Sequence, residues 1–131
     1  MSNLSIIQLR KRDLNAVYKN IISASRGVGS LSRDTILSLV SEQPAPRFYI
    51  TPFTAQLYIT GVSKTPISPQ KKAMVEDLIG TYNRLVKENP NAQKQWLYEV
   101  VVEQPAKSFY LSKHRIKEII FNYTGRNGKK K

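Results

Sequence analysis

Twelve residues from Val40 to Thr51, V-S-E-Q-P-A-P-R-F-Y-I-T, return as V-V-E-Q-P-A-K-S-F-Y-L-S from Val101 to Ser112, an offset of 61. Self-similarity at a fixed spacing marks a repeated supersecondary unit, so this feature constrains the fold more than any other. Glu42, Gln43, Pro44, Ala45, Phe48 and Tyr49 recur as Glu103, Gln104, Pro105, Ala106, Phe109 and Tyr110. Carried on without a gap, the same offset places Leu14, Val17, Tyr18 and Ile21 on Val75, Leu78, Ile79 and Tyr82, and Ile36, Leu37, Leu39 and Val40 on Leu97, Tyr98, Val100 and Val101. The apolar pattern therefore repeats along with the motif.

Each copy reads as three helices. In the first, Asp13 is the expected cap of a helix through Leu14, Val17, Tyr18, Ile21 and Ile22 that stops at Gly27. Ser32 caps the second, with Leu31 and Ile36 placed as a hydrophobic staple. After Pro44 and Pro46 comes a short extended piece, and Thr51 followed by Pro52 opens the third. In the second copy Ser68 and Pro69 open a long helix to Asn89, Asn91 opens a helix through Trp96, Leu97, Val100 and Val101, and Ser112 opens one that ends near Gly125. The expectation is an all-α chain of six main helices in two tandem, internally related three-helix units, residues 1–62 and 63–131, with a flexible basic tail after Gly125. The join between second and third helices, about eight residues, exceeds the short turn of a helix-turn-helix reader, and that motif is not assigned.

Charge supplies the functional expectation. The 131 residues hold 21 basic and 9 acidic side chains, for a net charge of +12. Residues 1–33 carry +5, residues 34–106 cancel to zero, and residues 107–131 carry +7. Basic ends around a neutral middle point to a polyanionic partner. Arg10, Lys11 and Arg12 near the start, Lys113, Arg115 and Lys117 on the last helix, and Arg126, Lys129, Lys130 and Lys131 in the tail are the expected phosphate contacts. Arg47 and Lys107, beside the aromatic pair of each repeated turn, are two more. Phe48 and Phe109 read as plugs at helix corners.

The third helices of the two copies differ. In the second, Ile116, Ile119, Ile120 and Tyr123 form the core arc, and Phe121 stands off it between Lys117 and His114. Such a ring either stacks on a base or covers the other unit. In the first copy the core arc is Ala55, Tyr58, Ile59 and Val62, while Phe53 and Leu57 occupy the places of His114 and Glu118. That second apolar face suits a protein partner or a second copy of the chain.

Little suggests catalysis. No cysteine is present, which removes thiol chemistry and cysteine-ligated metals. The single histidine, His114, lies in the basic run Lys113–Arg115, which supplies no acid or metal partner, and Glu76 with Asp77 reads as polar helix surface. Ser25–Ser32 is glycine-rich before a helix but lacks the P-loop spacing. No catalytic residue, metal, cofactor, small-molecule substrate or membrane partner is expected. The expected partner is nucleic acid, DNA ahead of RNA, bound with low sequence specificity. The alternative is a structural or assembly protein of a virion or other nucleoprotein particle, docking through Phe53 and Leu57. Without a leader-like start, an intracellular place, cytoplasmic or at a nucleoid, or one inside a virion is expected.

Overall fold

The computed structural model describes residues 5–25, 31–64 and 68–121. Among them are six helices and no strand: α1 (Ile6–Ala24), α2 (Arg33–Ser41), α3 (Pro52–Thr60), α4 (Pro69–Glu88), α5 (Lys94–Val101) and α6 (Lys113–Phe121).

Local chemistry accounts for most of the boundaries. Ser32 Oγ accepts from the Thr35 N–H at 3.1 Å, Thr51 Oγ1 from Thr54 at 3.1 Å, and Ser112 Oγ from Arg115 at 3.1 Å. Each satisfies an N–H that the first helical turn leaves without an intrahelical acceptor. Pro52 and Pro69 stand at the starts of α3 and α4, where a missing N–H costs nothing. Gly61, at φ +82°, ends α3 in the left-handed conformation that a side chain would oppose.

Two starts differ from the sequence expectation. α1 begins seven residues before Asp13, because Ser5 and Gln8 form a reciprocal capping box: the Gln8 N–H donates to Ser5 Oγ and the Ser5 N–H to Gln8 Oε1. α5 begins at Lys94 rather than after Asn91, and Gln93 precedes it without capping it through its side chain.

The helices do not group in chain order. α1, α2 and α6 pack on one another, within a unit formed by residues 1–43 and 111–131. α3, α4 and α5 pack on one another, within a unit formed by residues 44–110. Named for their place in the chain, these are the terminal bundle and the mid-chain bundle. The expected tandem packing, α1–α3 followed by α4–α6, is therefore corrected: each bundle holds the first two helices of one copy and the third helix of the other.

The repeated turns explain how. Ala45 and Ala106 form an isolated antiparallel bridge, with N–H to O distances of 3.0 and 2.9 Å, and the Phe48 N–H donates to Val102 O at 2.9 Å. Copies of one motif thus pair with each other inside the mid-chain bundle. The stretch from Gln43 to Thr51 spans about 26 Å when extended, enough for the third helix to leave the two that precede it.

The core follows the repeat. Leu14 and Val75, Leu37 and Tyr98, Val40 and Val101, Ala45 and Ala106, Phe48 and Phe109, and Ala55 and Ile116 are pairs at offset 61, and all twelve residues are buried. A fully buried Leu, Ile or Phe side chain contributes about 1.5–3 kcal/mol relative to exposure. Leu78, Leu85, Leu97 and Val102 complete the apolar core without a buried partner at that offset.

Candidate nucleic-acid interface

Because α6 packs on α1 and α2, cations from both ends of the sequence come into the terminal bundle. Segments 1–43 and 111–131 hold thirteen basic and four acidic residues, a net of +9 of the total +12. Five of those cations, Arg26, Arg126, Lys129, Lys130 and Lys131, lie outside the described residues, as does the expected tail.

The expected contacts on α1 fan around the helix. At about 100° per residue, Arg10, Lys11 and Arg12 cover an arc of about 200°. Arg12 is the most open, with its side chain 63% exposed and its Nε 3.2 Å from Asp13 Oδ1. Lys19, seven residues on, shares its stripe and is exposed. Arg10 and Lys11 are half-buried.

On α6 the cations also divide. Lys113 and Lys117 lie about 40° apart, whereas Arg115 projects to the other side of the helix. Lys113 Nζ sits 3.0 Å from Asp34 on α2, and Arg115 sits 3.2 Å from Glu118, which His114 Nε2 also approaches at 3.4 Å. Lys113, Asp34, His114 and Arg115 are exposed and Glu118 is half-buried, and exposed pairs of this kind contribute little, about 0–1 kcal/mol. Among the described residues the terminal bundle carries eight basic and four acidic side chains, a net of +4, with the cations pointing in several directions.

Phe121 is engaged inside its own bundle. Its ring meets Tyr18 of α1 edge to face at 5.5 Å between centroids, and the Arg33 guanidinium of α2 lies 4.5 Å from its centre. The off-core aromatic thus closes α6 onto α1 and α2, and the cation occupies a face that a base would need.

In the mid-chain bundle, Arg47 and Lys107 serve the turns. Arg47 Nε donates to Phe48 O at 3.0 Å, and the Lys107 backbone N–H donates to Asp77 Oδ2 at 2.9 Å. The Lys107 side chain is exposed beside Glu76, Asp77, Thr81 and Arg84. Phe48 and Phe109 are buried, and Phe109 stacks on Tyr49 at 5.7 Å. Phe53 is 66% exposed, while Leu57, the other expected docking residue, is half-buried.

Two features were not foreseen. Asp77, read from the sequence as polar helix surface, accepts from the Lys107 N–H, from Tyr110 Oη at 2.5 Å and from Thr81 Oγ1 at 3.4 Å. Burial, reinforced by that hydrogen bond and by the Asp77 charge, pushes the Tyr110 hydroxyl pKa well above the ordinary phenol range. Trp96, expected among the apolar positions of its helix, is 44% exposed. The wheel already held the signal: Trp96 sits about 120° from the centre of the Leu97–Val101 stripe.

Trp96 borders an open cavity of about 560 Å³ whose other walls are Asn89, Pro90, Asn91, Ala92 and Gln93. Among the described residues, no three His, Asp or Glu side chains gather as metal ligands would, and no helix is long and apolar enough to cross a membrane. No family model matches the chain, and no curated protein or solved structure is significantly similar to it.

Proposed function

We propose that this chain is a non-enzymatic nucleic-acid-binding protein of low sequence specificity, with DNA its preferred partner over RNA and an intracellular or intravirion setting. The observation that supports the reading is the gathering of both basic ends of the sequence into segments that share one bundle. A dispersed positive field suits phosphate contacts, which position a protein on a nucleic acid without reading bases. Arg12, Lys19, Lys113 and Lys117 are the leading contacts among the described residues, with the tail cations Arg126 and Lys129–Lys131 adding charge. The repeat further supports two related helical units arising from one duplicated segment.

Gel-shift series with duplex DNA, single-stranded DNA and RNA test this, run on the full chain and on a chain ending at Tyr123. Neutralised phosphates release counterions, so affinity falls steeply between about 50 and 200 mM salt. Affinity that stays flat over that range overturns the proposal. Unchanged binding after truncation removes the tail lysines from the contact set.

The exposure of Phe53 favours a second reading, a structural protein of a virion or nucleoprotein particle that docks through α3. Sedimentation and pull-down separate the two. A monomer that binds duplex DNA alone supports the first, and a stable oligomer or protein complex without DNA affinity supports the second.

A further inference from the structure

We infer that the cavity beside Trp96 is a binding site for one unpaired nucleobase, so that the chain recognises single-stranded nucleic acid through a stacking contact as well as through phosphates. The inference rests on the nucleic-acid reading and deepens it.

Four observations converge on the site. Trp96 is the only tryptophan in the chain, and it is left 44% exposed while its helix neighbours Leu97, Tyr98 and Val101 are buried. It is not an isolated surface ring, because it borders a shallow hollow of about 560 Å³ that lies largely open to solvent, as a site for a splayed base on a strand must. Three of the six lining residues, Asn89, Asn91 and Gln93, carry carboxamides, and none is a carboxylate. Carboxamides present a donor and an acceptor side by side, the pattern that base edges complement. Asn89 spends a donor on Leu85 O at 3.1 Å and keeps its carbonyl, while the Gln93 side chain is not used to cap α5.

The fourth observation is charge. Lys87, in the last turn of α4, and Lys94, the first residue of α5, flank the Asn89–Gln93 segment and are both exposed. The nearest acidic side chain in sequence, Glu88, faces Arg84 at 3.6 Å. An aromatic platform bordered by amides and flanked by cations is the arrangement by which proteins hold splayed bases of single strands. A duplex keeps its bases stacked on one another and offers this ring nothing. An apolar or proline-rich peptide could pair its backbone with the amides but would leave both lysines without an anionic partner.

The single tryptophan makes the test direct, since all indole fluorescence comes from the site. The full chain is titrated with a short single-stranded DNA and with a blunt duplex of the same length, following emission, with gel shifts run in parallel. Single strands are expected to quench the emission and the duplex to leave it nearly unchanged. Trp96→Ala is expected to weaken single-strand binding about fivefold to a hundredfold and to lower the ratio of single-strand to duplex affinity. Trp96→Phe, which keeps a stacking face and guards against loss of fold, is expected to restore most of it.

If single strands shift in gels while the emission stays constant and Trp96→Ala binds them equally well, the site is overturned and the proposed function stands. If no nucleic acid binds at any salt, both fall. Quenching by a proline-rich peptide but not by single strands also overturns the site.

Discussion

Asp77 shows how one carboxylate can hold a turn that the sequence alone does not reveal. Its partners, the Lys107 N–H and the Tyr110 hydroxyl, are 30 and 33 residues away, so neither spacing nor local charge points to them. Tyr110 itself has φ +57°, a left-handed backbone uncommon for a residue with a side chain, and its N–H donates to Ser108 Oγ at 2.9 Å. Arg47 stands at the place of Ser108 in the first copy of the turn, which is why identical flanking motifs carry different local bonding. Asp77→Ala leaves the Lys107 N–H and the Tyr110 hydroxyl without their acceptor and is expected to cost about 1–3 kcal/mol in urea denaturation. The hydroxyl also gives an alkaline signature. Its folded pKa is raised, so its contribution to stability is complete below about 10, where an unfolded tyrosine begins to ionise, and declines as pH rises beyond that point. Tyr110→Phe is expected to shallow the loss of stability above about pH 10, measured by denaturation at a series of pH values. An unchanged alkaline limb would assign the loss to other groups.

At the level of the helix, the chain announces some starts and hides others for identifiable reasons. Ser32, Thr51, Ser68 and Ser112 are short oxygen-bearing side chains directly before apolar periodicity or proline, and all four accept from the first turn of the helix they precede. The start of α1 is masked by Arg10, Lys11, Arg12 and Asp13, which interrupt the apolar rhythm and make Asp13 look like a boundary. The Ile6, Leu9, Asp13, Val17 and Ile21 register continues through it, and Ser5 with Gln8 is the true box. α5 gives a weaker signal still, because its Gln93 does not cap through its side chain. These differences set expected stabilities. Thr51→Ala and Ser112→Ala, matched positions in the two copies, are each expected to cost about 1 kcal/mol, while Gln93→Asp is expected to add about the same by supplying the missing cap. Thermal denaturation of the three variants checks the pattern, and a neutral Ser112→Ala would show that α6 is held by packing alone.

For the whole molecule, the six helices were legible but their grouping was not. The residues of six offset-matched pairs are each buried within their own bundle while others, such as Val17 with Leu78 and Ile36 with Leu97, are not both buried, and a sequence alignment carries no statement of which third helix packs on which pair. The bridge between Ala45 and Ala106 accompanies that grouping in the mid-chain bundle, and its hydrogen bonds use backbone groups common to almost every residue. The same assembly changes the meaning of the charge. Helices α1 and α6, far apart in sequence, bring their cations into one bundle; among the described residues it holds eight basic and four acidic side chains, and the mid-chain bundle eight and five. Local phosphate contact and mere overall charge make different forecasts here. Arg12→Gln with Lys19→Gln removes two exposed cations from one stripe of α1, and Lys71→Gln with Lys72→Gln removes two exposed cations from the start of α4. Both pairs lower the net charge by the same two. If phosphates are met by the terminal bundle, the first pair is expected to reduce the slope of log affinity against log salt by about 0.9 for each phosphate that is no longer neutralised, and the second by much less. Equal reductions from the two pairs would mean that the nucleic acid responds to total charge, and the terminal bundle would lose its claim to the interface.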